Sequence, residues 1–306
     1  MVKIPKVRVI PNVRMKERLQ PIRSAISALR RPEDRTPPPV PDGLEPEVAA
    51  VVGTEIRHML EYQSVGYADL YVDRISRFIG RPEIDAALHA EIARLLAMRM
   101  AFRDPIRVAQ RRLAEVEGAP PDPDIRAGAR FIWFSLAEVV ALFPRAVAEI
   151  LIPMIEMVGW RDMQVPVWLD ISSPIGIRAL RLLAWFRRFR LRSVRYPKER
   201  AAVERWLHMI DRALVKRPAA VHEVVKSAEI IHGYGKRYSQ TLANWHMLID
   251  NVAKPVFDGK QDIADLPAAM AEAREAAVSD RTGAALRQTI DAIQARERAR
   301  EAAPVA

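Results

Sequence analysis

The 306-residue sequence contains no cysteine. That absence excludes structural disulfides, thiolate zinc sites, cysteine nucleophiles and cysteine-ligated iron–sulfur clusters. No apolar run reaches the length needed to cross a bilayer. The basic N-terminus lacks the apolar h-region of a signal peptide, so the cytoplasm is the expected location. No Gly-x-Gly-x-x-Gly follows a strand-like segment and no Gly-x-Ser-x-Gly occurs, so neither a dinucleotide fold nor a nucleophile elbow is visible. Acidic residues are the scarcer sign: 38 Asp and Glu against 48 Lys and Arg leave a formal charge of +10. Such a field favours anionic partners, whether nucleic acid, an acidic protein face, membrane lipid or a phosphorylated ligand.

What the sequence does have is helical periodicity. Its spacing predicts a mostly α, bundle-like fold with a small extended element near residues 163–171. Three parts are expected: a basic, proline-rich segment and linker over 1–43, a helical domain over 44–285, and a charged helical tail over 286–306 that frays at its end. From Glu45 the apolar stripe Val48, Val52, Ile56, Met59 continues through Tyr67, Tyr71 and Ile75 as one helix, closed by Gly80 and Pro82. Tyr62, Gln63, Tyr67 and Tyr71 are expected in the core or an interface rather than in an active site. A second helix runs to Met100, and Asp104-Pro105 supplies an N-cap and N1 proline for a third. Residues 132–157, apolar on most sides, predict a buried helix or helix pair hinged at Pro144 and Pro153. Met163–Ile171 alternates as a strand and needs a partner, for which Val7–Ile10 is the candidate. Further helices are expected from Pro174 through Phe189, from Pro197, from Pro218 to His232, from Lys236 to Val256, and over Leu266–Ala302.

Candidate chemistry is sparse. The six histidines form no HExxH and no zinc-like pair, so no metal site is expected and no catalytic residue is assigned. His232, Gly233, Tyr234, Gly235, Lys236 and Arg237 join one helix end to the next helix start. Gly233 fits a left-handed C-cap, and the free amides ahead of Lys236 and Arg237 make an anion or partner-binding candidate. The densest basic segment is Arg178–Arg200, interleaved with Trp185, Phe186 and Phe189. Arg178, Arg181, Arg188 and Arg192 fall near one face of a helix and form a candidate docking face. Without a recognised nucleic-acid motif, subunit docking ranks above nucleic acid for that face.

Three stretches carry a resemblance. They are Tyr62-Gln63-Ser64-Val65-Gly66-Tyr67-Ala68 with Leu70-Tyr71 and Asp73-Arg74; Ile92 through Met100 with Asp104 and Ile106-Arg107-Val108-Ala109-Gln110; and Ile231-His232-Gly233-Tyr234-Gly235 with Tyr238 and Leu242-Ala243-Asn244-Trp245. In this order they resemble the helical C-terminal region of the long-form indolepyruvate oxidoreductase beta subunit, over about Leu44 to Ala285. The resemblance implies a share in oxidative decarboxylation of an arylpyruvate to an aryl-acetyl-CoA, with electrons passing to ferredoxin or a similar acceptor. It implies thiamine diphosphate, iron–sulfur clusters and CoA for the complex but none bound by this chain. The implied partners are the alpha subunit and a gamma-type α/β domain, with self-association left open. That α/β domain does not precede the helical part here, so a truncated or separately encoded helical half is expected. The alternative is a basic helical adaptor that binds nucleic acid or an anionic membrane surface.

Overall fold

Proline and side-chain caps set where the helices begin. The computed structural model describes residues 36–125, 129–280 and 282–302; the candidate strand Val7–Ile10 lies outside them. Helix α1 (Pro46–Tyr62) opens on a proline, and in α3 (Ala86–Met100) the Asp85 carboxylate accepts from the Leu88 amide at 2.8 Å. Asp104 caps α4 (Pro105–Val116), accepting from the Arg107 amide at 2.6 Å. The stripe expected to form one helix is broken at Gln63–Ser64, where Ser64 is extended and α2 (Val65–Ser76) starts afresh. Both helices turn their apolar residues to one core, so the periodicity carries no trace of the break. Tyr62, Tyr67 and Tyr71 are buried in that core.

After α4 the chain leaves the main core and forms a smaller cluster. There β1 (Phe131–Ser135), α5 (Leu136–Val140), α6 (Arg145–Met157), β2 (Gln164–Trp168) and α7 (Pro174–Trp185) follow in order. Phe134 and Leu180 from these elements, with Leu169 just after β2, pack with Val108, Ala109, Ile125 and Tyr234. The extended element expected near 163–171 is present as β2, and its partner is β1, antiparallel, from Phe131 opposite Trp168 to Ser135 opposite Gln164. Residues 132–157 are therefore not a buried helix pair. The β-rich Phe131-Ile132-Trp133-Phe134 forms a strand, a capping box between Ser135 and Glu138 starts α5, and α6 buries only Ala148. Pro166 is tolerated because both strands of a two-stranded sheet are edges.

The helix from Pro174 also ends early. It stops at Trp185 and tightens into a 3-10 segment, Phe186–Arg192, that carries Arg190 into the interior. Helix α8 (Arg195–Lys216) returns to the main core, where Trp206 is fully buried. The expected helix from Pro218 is instead broken: 3-10 turns at Pro218–Ala220 and Ser227–Ile230 flank a short α9 (Val221–Lys226). Helix α10 (Lys236–Leu248) widens into a π turn at Ile249–Ala253 before α11 (Lys254–Phe257). Pro255 has no amide hydrogen to donate, which accounts for the disturbed ladder there. Leu266–Ala302 is two helices, α12 (Leu266–Ser279) and α13 (Ala284–Ala302). Asp280 ends the first and caps the second: bonds from the Ala285, Thr282 and Ala284 amides hold its carboxyl down at about 2. The boundary expected at residue 285 falls inside α13, whose Leu286, Ile290 and Ile293 belong to the main core. Among the described residues no helix is long and apolar enough to cross a membrane.

Candidate functional site

A cleft of about 1160 Å³ opens where α5 and α6 of the smaller cluster face α8 and α10 of the main core. Its floor follows from spacing on two helices. Arg195, Lys198 and Glu199 lie three and four residues apart at the start of α8, so they share a face. Lys236, Tyr238 and Ser239 occupy the first turn of α10 opposite them. Arg195 Nε donates to Glu199 Oε1 at 3.0 Å, and the Tyr238 hydroxyl donates to Glu199 Oε2. The Arg195 guanidinium lies 5.1 Å from the Tyr238 ring centroid, and Arg99 Nη1 reaches the Tyr238 oxygen at 3.4 Å. Burial pushes the Tyr238 hydroxyl above its ordinary range. Burial is the strongest single influence and opposes the charge on Arg195, yet Glu199, Tyr238, Asp104 and Glu138 together outweigh it and keep the guanidinium firmly protonated.

Further along α10, His246 completes one wall. Arg205 Nη1 donates to His246 Nδ1 at 2.8 Å, which leaves the imidazole proton on Nε2. Burial first, and the Arg205 charge second, lower the His246 pKa. The cleft thus offers fixed cations, a neutral imidazole and hydroxyl donors. Such a set binds and orients; it is not a nucleophile–base pair. Among the described residues no group of three His, Asp or Glu side chains is placed to hold a metal ion.

Of the segment singled out in the sequence, only Lys236 lines the cleft. Tyr234 is buried and donates to Asp122 Oδ2 at 2.8 Å, with its ring 6.5 Å from that of Phe134. His232 Nδ1 lies 2.8 Å from the Ile230 carbonyl, and Arg237 extends over Gly233. These residues form the corner that joins the two cores. Gly235 makes the corner possible: at φ +57 its added Cβ would sit 2.6 Å from the Trp133 carbonyl oxygen. Gly235→Ala is expected to lower stability by about 2 kcal/mol or more. Helical Gly66, with open space around its Cβ position, is the control and should gain up to ~1 kcal/mol on the same change, both read from urea midpoints.

The candidate docking arginines do not share one helix, since α7 ends at Trp185. Arg178 and Arg181 are exposed on α7, Arg192 is exposed at the end of the 3-10 segment, and half-buried Arg188 stacks 5.9 Å over the Trp185 ring. Sequence reasoning passed over Glu199, Tyr238 and His246. The Arg195–Lys198–Glu199 spacing was the available signal, masked by the surrounding run of arginines.

A family model described as a family of unknown function (DUF6537) matches residues 48–251, which takes in the smaller cluster and every helix that walls the cleft and stops short of α12 and α13 of the main core. No curated protein and no solved structure matches the chain significantly.

Proposed function

The chain belongs to the DUF6537 family, and on that premise we propose that it is a docking, non-catalytic helical part of a larger oxidoreductase. One observation carries the docking role. Of the 18 exposed large hydrophobic residues among those described, 14 lie between Phe131 and Leu191. They include Trp133, Trp160, Trp168 and Trp185, each more than 40% exposed, whereas Trp206 and Trp245 are fully buried in the main core. Apolar exposure concentrated in one segment marks an interaction surface, and tryptophan beside arginine is the composition of interface anchors. Arg178, Arg181 and Arg192 stand within or next to this segment.

On the resemblance to the indolepyruvate oxidoreductase beta subunit, the partner in this reading is the thiamine diphosphate- and iron–sulfur-bearing alpha subunit, together with a gamma-type α/β domain. In that assembly this chain would contribute surface and orientation to CoA-dependent oxidation of an arylpyruvate, and the reacting groups would come from the partners. The test is co-purification with such an alpha subunit and comparison with the Ile150→Asp, Met157→Asp variant. Both side chains are exposed on α6, so folding should be unaffected. Association should weaken by at least about tenfold. Unchanged association would end this reading, and salt-sensitive, sequence-independent retention on heparin or DNA would support the basic-adaptor alternative.

A further inference from the structure

Helix α7 buries one side and leaves the other without cover. Gly176, Leu180, Leu183 and Ala184 turn inward, and Leu180 is 1% exposed in the smaller cluster. Ile175, Arg178, Leu182 and Trp185 recur at three- and four-residue spacings on the opposite side, with Arg181 on its flank. Ile175 is 67%, Leu182 61% and Trp185 41% exposed, and both arginines are exposed as well. Charge on this face has one sign. Between Asp170 and Glu199 the chain carries eight Lys and Arg residues and no acid. Arg190 and Arg195 are buried with carboxylates of their own, Asp104 and Glu199. Arg178 and Arg181 pair with no described acid: Asp170 is bonded to Ser172 and Ser173, and Glu115 on the adjoining α4 is taken by Arg112.

We propose that this face seats an acidic amphipathic helix of a partner protein. Its apolar side would pack on Ile175, Leu182 and Trp185, and its carboxylates would meet Arg178 and Arg181. Three other occupants fit less well. A second copy of the chain would bring two arginine-bearing faces together. A bilayer that took up Ile175 and Leu182 would draw in Arg178, which lies between them in the stripe. To single-stranded nucleic acid the face offers aliphatic side chains and one ring, Trp185, over which Arg188 already stacks at 5.9 Å. The inference rests on the docking reading and narrows it to one face and one kind of partner segment.

Two synthetic peptides long enough to span α7 test it on the full chain. They share a helical pattern of leucines and carry either glutamate or lysine on the flanks. Fluorescence anisotropy should show saturable binding of the glutamate peptide and none of the lysine peptide. Arg178→Glu with Arg181→Glu should weaken the glutamate peptide at least roughly tenfold and create binding of the lysine peptide, a gain that misfolding does not produce. Lys216→Glu with Lys260→Glu makes the same charge change on exposed residues of the main core and should leave glutamate-peptide binding unaltered. Ile150→Asp with Met157→Asp, which spares α7, should also bind the peptide normally, so failure of the alpha-subunit reading and failure of this one are told apart. Absence of glutamate-peptide binding, equal loss in either control, or no gain for the lysine peptide would overturn the proposal. Sedimentation with phosphatidylserine vesicles that the α7 variant abolishes would overturn it in favour of a membrane.

Discussion

Asp104→Ala is expected to destabilise the protein by about 3–5 kcal/mol, because it breaks a buried ion pair from one side. Asp104 and Arg190 are both 0% exposed. The pair is bidentate, with Arg190 Nε to Asp104 Oδ2 at 2.8 Å and Nη2 to Oδ1 at 3.0 Å. Arg190 Nη1 donates to the Tyr62 carbonyl at 2.8 Å and to Gln63 Oε1 at 3.3 Å, while Nη2 also reaches Gln110 Oε1 at 3.3 Å. Its guanidinium lies 4.0 Å from the Tyr62 ring centroid. Every donor on this arginine therefore has an acceptor. Removing Asp104 leaves a buried cation without its counter-charge and also uncaps α4, a further loss of about 1 kcal/mol. Replacing both partners, as Asp104→Leu with Arg190→Met, should recover much of the loss, because an apolar pair carries no desolvation penalty. Urea unfolding of the two variants checks both statements. A neutral Asp104→Ala would show that the pair is open to water.

Tyr67→Ala should cost roughly 3–5 kcal/mol, by analogy with buried phenylalanine truncations. Three tyrosines stitch α1 and α2 to α3 and the turn after it: the Tyr62 hydroxyl donates to the Phe102 carbonyl at 3.1 Å, Tyr67 to Met100 at 2.8 Å and Tyr71 to Ala93 at 3.1 Å. Met100 is the last residue of α3, so its carbonyl has no partner within the helix. Tyr67→Phe should thus cost about 1–2 kcal/mol for the unmet carbonyl alone. Burial pushes the Tyr67 hydroxyl well above its ordinary range, so the phenol stays neutral across the working pH range. Thermal and urea unfolding of the two variants separate ring packing from the hydroxyl bond. Unchanged stability accompanied by lost complex formation would transfer Tyr67 from the core to the partner interface.

Caps and prolines made most of the helices legible in the sequence: Asp104-Pro105, Pro174 and the Gly233–Gly235 corner all act locally, and local chemistry is written in local residues. The break at Gln63–Ser64 was not legible, because it is imposed from afar by Arg190 and Gln110 bonding the Tyr62 carbonyl. Residues 132–157 misled for a related reason. Their apolar character reads as burial, but Ile150 and Met157 of α6 are exposed. Periodicity records which residues avoid water in the final assembly and cannot say whether the cover comes from the same chain. The cleft was half visible: Lys236 was marked by its helix start, whereas Glu199 and Tyr238 acquire their roles only when α8 and α10 meet.

The Asp104–Arg190 bond also sits where the chain quits the main core and where it comes back. The intervening residues form a loop whose ends are tied together, with Gln110 bonding the Tyr62 carbonyl, Tyr234 bonding Asp122 and the Tyr234–Phe134 ring pair among its other attachments. Closing a longer loop is only slightly harder, about 0.6 kcal/mol for each doubling of length. The outer segment is therefore free to lengthen, shorten or change its surface over evolutionary time while the helices beneath keep their packing. A fold tied in this way can acquire a new partner by redrawing one appendage, and the same neck marks the place to graft a foreign one.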